Sequence, residues 1–187
     1  MGLLGTKAVR NLAIFCGLIA ISALGAAAQG VQGVGFETNA EAYLGYTYLR
    51  FYELPNLTEN TNGFNAAVAF YPRDRWYGVD GEIVATFGSE SGTGSSLFLG
   101  MGGGRIRHAV LRGTDVWLHG LAGGGHATPK TPYGGEGAFA FEGGGGIDIG
   151  ARNRRLAYRI EGDLVGTRLF NVFQYNPKIS VGVVVKF

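Results

Sequence analysis

The last nine residues, ISVGVVVKF, alternate without interruption between two sets of side chains, up to the final residue. Every second position is apolar, and the series ends on an aromatic residue: Ile179, Val181, Val183, Val185 and Phe187. The intervening positions include Ser180, Gly182 and Lys186. A period of two is that of a β-strand, whose successive side chains point to opposite faces. Because chain ends usually fray, a regular strand that runs to the last residue predicts a paired terminus.

The same alternation recurs upstream in blocks of about ten residues, the length of a strand that crosses a bilayer. In RLAYRIEGDLVGT, for example, Leu156, Tyr158 and Ile160 oppose Arg159 and Glu161. The faces of the first block cannot be assigned, because both carry Tyr and Leu, and glycines obscure the fourth and fifth. The chain has eight blocks in all: EAYLGYTYLRF, GFNAAVAFY, WYGVDGEIVATF, SLFLGMGGGRI, DVWLHGLAGGG, AFAFEGGGGIDIG, RLAYRIEGDLVGT and KISVGVVVKF.

The N-terminus has the pattern of a secretory signal peptide. Lys7 and Arg10 precede the apolar run LAIFCGLIAISALG, and the small residues of GAAAQG follow it. A retained membrane anchor would need about 20 apolar residues. We therefore expect residues 1–28 to be a signal peptide, 29–40 an N-terminal periplasmic segment and 41–187 the folded domain. The only cysteine, Cys16, lies in the leader, so the folded domain has no disulfide to stabilise it.

Three features favour a membrane barrel over a secreted β-sandwich or a lipocalin-like barrel. The apolar faces of the last three blocks are long enough to span a bilayer. Their charges all fall on the opposite face. A sheet in lipid must close on itself, since an open edge would leave backbone groups without hydrogen bonds. The predicted fold is therefore all-β, an eight-stranded antiparallel up-and-down transmembrane β-barrel.

The connections between the blocks support this prediction, because long and short segments alternate as in outer-membrane barrels. The long ones are YELPNLTENTN, GSESGTGS, HATPKTPYGGE and RLFNVFQYNP, and the shorter ones are PRDR, RHAVLRGT and ARNR. Aromatic residues near the block ends fit the two interfacial girdles of such barrels. The candidates are Phe51, Tyr52, Phe70, Tyr71, Trp76, Tyr77, Phe87, Tyr175 and Phe187.

An eight-stranded barrel is about wide enough to be filled by its own side chains. Charges confined there must pair, and we expect Arg159 to lie between Glu142 and Glu161. Glycine runs in blocks four to six should relieve crowding around Phe98 and Trp117. A gated ion path is the functional alternative to this filled lumen. The predicted lumen charge network consists of Asp80, Glu82, Arg105, His119, Glu142, Asp148, Arg159, Glu161, Asp163, Lys178 and Lys186.

The leader, the eight blocks, the opening strand YLGYTYLRF and the terminal Phe resemble small bacterial outer-membrane β-barrels, the porin-like and OmpA-like transmembrane group. The resemblance implies a bacterial outer-membrane location, contact with membrane lipids and lipopolysaccharide, and a monomer. It also implies that Val183, Val185 and Phe187 form the signal that the barrel-assembly machinery recognises during insertion. The peptidoglycan-binding module of OmpA-type proteins is expected to be absent, since the blocks continue to the last residue.

The chain offers little catalytic chemistry. His119 should point into the lumen, and His108 lies near a short turn without an evident partner. His126 occupies the place of a catalytic His in a lipid A-modifying barrel, but Ala127 and Thr128 follow it instead of a Ser. We therefore expect no enzyme, no cofactor and no metal site. The net charge of +2 also gives no reason to expect nucleic acid. The expected function is structural or adhesive, with a narrow pore and a lipid A-modifying enzyme as alternatives.

Overall fold

Eight antiparallel strands form a closed barrel in the computed structural model, which confirms the predicted fold. The structure describes residues 39–54, 57–72, 75–90, 93–111, 113–128, 136–150, 155–169 and 172–187. Residues 1–38, on which the predicted leader falls, lie outside this range. The strands are β1 (Ala40–Leu54), β2 (Leu57–Phe70), β3 (Tyr77–Glu90), β4 (Thr93–Leu111), β5 (Thr114–Thr128), β6 (Glu136–Gly150), β7 (Leu156–Leu169) and β8 (Val172–Lys186).

Each strand pairs with its neighbours in the chain, and β8 pairs with β1 to close the sheet. The seam runs from the pair of Glu41 with Lys186 to the pair of Leu49 with Lys178. At its end the Phe187 amide donates to the Ala40 carbonyl at 2.9 Å, and the Asn39 amide donates to the Phe187 carbonyl at 2.9 Å. The last residue is therefore held by the first strand, as the terminal alternation predicts.

The alternation places charged side chains inside the barrel and apolar ones outside. On β6, β7 and β8 the predicted faces are confirmed. On β1 and β4, whose faces the sequence leaves open, the odd-numbered residues point inward. The outward apolar side chains stay exposed, with Leu44 at 63%, Val79 at 61% and Tyr158 at 65%. A large apolar outer surface with a charged interior reverses the arrangement of a water-soluble protein.

Six of the nine predicted girdle residues have side chains that are exposed on the outer surface of the barrel or at its rim: Phe70, Trp76, Tyr77, Phe87, Tyr175 and Phe187. Two predictions are wrong, because Phe51 and Tyr71 are buried inside. Phe51 lies on the inward face of β1, and Tyr71 packs against the Arg107 guanidinium. The side chain of Tyr52 lies outside the described residues.

We call the end of the barrel that carries Asn39 and Phe187 the terminal end, and the opposite end the hairpin end. Three segments predicted as long loops at the hairpin end are mostly strand. Only residues 55–56, 91–92 and 170–171 separate the paired strands there, while residues 129–135 separate β5 from β6. At the terminal end β4 likewise continues through most of RHAVLRGT to Leu111. The loop prediction relied on polar composition, but the hydrogen bonds of a β-ladder join backbone groups, so polar side chains do not prevent a strand from forming.

Glycine permits close packing at the seam. The ring of Tyr43 lies over Gly45 and Gly182. The two strands are also so close that a Cβ on Gly182 would overlap the Leu44 carbonyl oxygen and the Gly45 Cα. Elsewhere the expectation that the glycine runs surround Phe98 inside the barrel is wrong. Phe98 points outward and packs edge to face on Phe87 with ring centroids 5.7 Å apart. Phe98 points outward because the odd-numbered residues of β4 point inward, which the sequence alone did not establish.

We expect Gly182→Ala to destabilise the folded barrel by about 1–3 kcal/mol, since the two seam strands must separate to admit a methyl group. Gly162→Ala is the matched control, because a Cβ there meets no atom within 4 Å. That change should leave the free energy of unfolding within about 1 kcal/mol of the parent. Urea unfolding in lipid vesicles measures both values, and equal effects of the two substitutions would contradict the close packing described at the seam.

Candidate functional site: the barrel lumen

The lumen of the barrel contains three layers of inward-pointing side chains. The arginine layer, at the terminal end, comprises Glu41, Arg105, Arg107, Asp115, Asp148, Arg159 and Lys186. The lysine layer, at mid-height, comprises Asp80, Glu82, His119, Glu142, Glu161, Asp163 and Lys178. The apolar layer, in the half nearer the hairpin end, comprises Leu49, Phe51, Val84, Leu97, Leu99, Met101, Leu121, Ala127, Ala140, Val165 and Leu169.

The arginine layer is organised by a two-pronged ion pair between neighbouring strands. Arg159 Nε donates to Asp148 Oδ1 at 2.7 Å and Arg159 Nη2 donates to Asp148 Oδ2 at 2.8 Å. Arg159 Nη2 also donates to Glu41 Oε2 at 3.0 Å, and Arg107 Nη1 reaches Glu41 Oε1 at 3.3 Å. Such forked, charge-assisted contacts fix both distance and orientation. They connect β1, β4, β6 and β7 across the bore.

Trp117 lies within the arginine layer and contacts two guanidinium groups. The Arg105 and Arg159 guanidinium carbons lie 3.9 Å and 4.5 Å from the centroid of its ring. Its indole nitrogen donates to Asp148 Oδ1 at 3.1 Å, so the polar atom of the ring is also satisfied. Cation–π contacts of this kind are strongest where the cation is shielded from water, as it is here.

The lysine layer surrounds one ammonium group with four carboxylates. Lys178 Nζ donates to Glu82 Oε1 and, at 2.7 Å, to Glu142 Oε1. It also lies 3.2 Å from Asp163 Oδ2 and 3.5 Å from Glu161 Oε1. All five side chains are 1% exposed or less. A charge so fully removed from water requires strong compensation, which these carboxylates supply.

His119 joins the two charged layers. Its Nδ1 lies 3.0 Å from Asp80 Oδ2, and the same oxygen lies 2.9 Å from Arg105 Nε. Its Nε2 lies 3.1 Å from Asp163 Oδ1 and 3.4 Å from Glu142 Oε1. The imidazole therefore connects the arginine side of the network to the carboxylates around Lys178.

The apolar layer differs from the polar lumen that the sequence predicts. All eleven of its side chains are buried, and Leu49, Val84 and Val165 have no exposed surface. Because Leu97, Leu99 and Met101 lie on β4, whose parity the sequence leaves open, their inward direction was not recognised. Close-packed apolar side chains leave little room for water in a narrow bore, and buried polar side chains such as Glu59, Thr86 and Asn176 occupy the rest of this half of the lumen.

All eleven residues proposed for the lumen charge network point inward and are buried. Their pairing differs from the expected one, because Arg159 binds Asp148 and Glu41, while Glu142 binds Lys178. Sequence reasoning missed Glu41, Arg107 and Asp115. The register offered a signal for Glu41, since closing β1 on β8 sets it opposite the inward Lys186.

The other two histidines lie away from this network. His126 is exposed on the outer face of β5, near the hairpin end, and His108 lies on the outer face of β4. Within the described ranges, no hydrogen bond joins His126 to a hydroxyl group. The residues proposed as the insertion signal, Val183, Val185 and Phe187, all point outward and are exposed.

Comparison with known proteins identifies the fold. Ail, the attachment invasion locus protein of Yersinia pestis, superposes with a TM-score of 0.59 at 20% identity, over 81% of this chain and 100% of Ail. Neisserial surface protein A (NspA) gives a TM-score of 0.66 at 9% identity, over 79% of this chain and 97% of NspA. Ail in a phospholipid bilayer nanodisc gives 0.51 at 20% identity, over 81% of this chain and 100% of Ail. The structural neighbours are thus small outer-membrane barrels.

No family model matches the sequence, and no curated protein does.

We expect Lys178→Met to destabilise the barrel by about 3–5 kcal/mol, because it leaves four buried carboxylates without their shared cation. Glu161→Gln removes one carboxylate charge from the same layer and keeps an oxygen to accept from Asn65 Nδ2, so its cost should be about 1 kcal/mol or less. The midpoint of urea unfolding at neutral pH distinguishes them. A Glu161→Gln variant as unstable as Lys178→Met would contradict the excess of carboxylates in the lysine layer.

Proposed function

We propose that the chain is a non-enzymatic protein of the bacterial outer membrane, a closed barrel that holds its hairpin end at the cell surface for a structural or adhesive role. One observation carries the proposal: the lumen is filled from the arginine layer through to the apolar layer. A barrel without a passage has its outer surface and its rims as sites of action.

The outer surface supports a bilayer as the surroundings of the barrel. Leu44, Phe64, Val79, Ile160 and Val181, on five different strands, are all exposed. An apolar surface of this extent would aggregate in water, and it fits hydrocarbon. The same surface supports outer-membrane lipids, and at the outer leaflet lipopolysaccharide, as its molecular surroundings.

The lengths of the connections support one orientation in the outer membrane. Bacterial outer-membrane barrels place short turns in the periplasm and longer connections outside, and the longest connection between the described strands, residues 129–135, lies at the hairpin end. We therefore assign the hairpin end to the cell surface and the terminal end, which carries Asn39 and Phe187, to the periplasm. Phe187 then lies at the periplasmic rim, where the barrel-assembly machinery would recognise it with Val183 and Val185.

The likeness to Ail supports an adhesive role, because that protein is named for attachment and invasion. The partner of the hairpin end is a surface molecule whose chemistry this proposal leaves open. We propose a monomeric barrel, since the seam between β1 and β8 satisfies the backbone without a second copy.

A narrow pore is the second candidate, and the charged layers are the observation that favours it. Ion-paired side chains in a lumen can exchange partners and open a path. The apolar layer argues against this, because rearranging ion pairs does not admit water past Leu49, Leu97 and Leu121. Single-channel currents in planar bilayers that change on charge reversal at Arg159 or Glu161 would favour the pore.

A lipid A-modifying enzyme has less support. His126 is on the outer face near the hairpin end, within reach of outer-leaflet lipids in the proposed orientation, but no hydroxyl group is hydrogen-bonded to it within the described part of the chain. Loss of a lipid A acylation change on substitution of His126 would restore this candidate.

An epitope tag inserted into residues 129–135, between β5 and β6 at the hairpin end, tests the proposed location. We expect antibody to bind the tag on intact cells. The matched control places the same tag in residues 151–154, between β6 and β7 at the terminal end, where it should be detected only after the outer membrane is permeabilised. The reverse pattern, or two tags detected only in a soluble fraction, would contradict the proposal.

A further inference from the structure

The two charged layers of the lumen contain more acids than bases. Within the described residues, eight carboxylates face five Arg or Lys side chains, so two negative charges remain even with an imidazolium at His119. The acids are Glu41, Asp80, Glu82, Asp115, Glu142, Asp148, Glu161 and Asp163, and the bases are Arg105, Arg107, Arg159, Lys178 and Lys186. Unbalanced charge out of contact with water is costly, so either a further cation or protons bound to the carboxylates must offset it.

The excess is concentrated in the lysine layer. The arginine layer holds four cations for three carboxylates, whereas the lysine layer holds five carboxylates for Lys178 and His119. Glu142 Oε2 is buried and has no hydrogen-bond partner, although the other oxygen of this carboxylate binds Lys178. A fully buried carboxylate oxygen without a donor indicates where an additional cation would bind.

His119 is oriented as a metal ligand would be. Ligand histidines almost always donate their other ring nitrogen to a carboxylate, which fixes the tautomer and the ring orientation. Here Nδ1 lies 3.0 Å from Asp80 Oδ2, and Arg105 Nε holds that oxygen from 2.9 Å. Nε2 faces the carboxylates around Lys178: it lies 3.1 Å from Asp163 Oδ1 and 3.4 Å from Glu142 Oε1, so a metal ion would take the place of its contact with Asp163.

The three ligand atoms are near enough to close around one ion. One ligand atom each from Glu82, His119 and Glu142 lies within 4.8 Å of the others. Atoms that share a tetrahedral Zn²⁺ at about 2.0–2.2 Å lie about 3.4 Å apart, so these side chains must move toward one another by up to about 1.4 Å. An imidazole with carboxylates is a donor set that suits Zn²⁺ and related divalent transition metals.

We propose that Glu82, His119 and Glu142 form a buried site for a divalent transition-metal ion of the Zn²⁺ type inside the barrel. Lys178 stays hydrogen-bonded to Glu82 and Glu142, and the ion is held between β3, β5 and β6. It offsets the excess of carboxylates in the lysine layer. The three ligands are far apart in the sequence, which is why their spacing does not reveal the site.

The site would load during folding, because the apolar layer and the arginine layer separate it from both ends of the lumen. The proposal is independent of the function of the hairpin end. It makes the metal a structural component of the lumen, held by three protein side chains with a water in the fourth position.

The test is to refold the urea-unfolded chain into detergent with Co²⁺ or Zn²⁺, remove free metal by desalting with a chelator, and count metal per folded barrel. Folded protein is separated by its heat-modifiable migration on gels. We expect about one ion per folded chain, with the visible absorption of four-coordinate Co²⁺. A folded parent protein that retains no metal would overturn the proposal and leave protons on the carboxylates to balance the charge.

Matched variants separate ligation from charge. Glu142→Gln and Glu161→Gln each remove one carboxylate from the lysine layer, and only the first belongs to the proposed ligand set. We expect Glu142→Gln to lower metal retention at least tenfold and Glu161→Gln to leave it near that of the parent. Should Glu142→Gln fail to fold, Glu82→Gln takes its place. Equal retention by both variants, or equal loss, would contradict the assigned ligands.

Discussion

The backbone hydrogen bonds between β1 and β8 are the constraint on which the whole structure depends. In hydrocarbon no water can satisfy an open strand edge, so a spanning sheet must close. Closure sets the position of the last residue, whose amide and carbonyl both bond to the start of the chain at 2.9 Å. It also explains Gly45 and Gly182, which let the two seam strands approach beneath the ring of Tyr43. The alternation of apolar and polar residues in the C-terminal strand is the feature of the sequence that reflects this requirement.

Closure of only eight strands determines the interior. The bore is too narrow for a water channel lined by long side chains, so those side chains fill it. The charged half is held by contacts across the bore, such as those of Lys178 with carboxylates on β3, β6 and β7. The other half is packed with the apolar layer and with buried polar side chains such as Gln174 and Asn176. A filled lumen leaves the outer surface and the rims of the barrel as sites of function. It also means that the excess carboxylate charge of the lysine layer must be balanced within the protein.

The fold could be predicted from the sequence because apolar and polar residues alternate on every strand whose two faces differ in polarity. The inward and outward faces could not be predicted on strands where residues of similar polarity, or glycines, occupy both faces. Tyr and Leu on both faces of β1 hid the inward direction of Glu41 and Phe51, and glycines on β4 hid that of Leu97 and Leu99. Ion-pair partners were also out of reach, because contacts such as that of Arg159 with Glu41 join β7 to β1 across the bore. The alternation along each strand predicts which residues face the lumen. Which of these residues contact each other depends on the geometry of the closed barrel.

The most direct test of the account is a disulfide across the seam. In protein made without residues 1–28, and so without Cys16, Leu44→Cys and Val183→Cys place two thiols on directly opposite residues, within the reach of a disulfide. We predict that this pair cross-links in the folded barrel. Leu44→Cys with Ile179→Cys, four residues out of register at about 3.4 Å per residue, should remain reduced. Equal cross-linking of the two pairs, or none in either, would contradict the closed barrel.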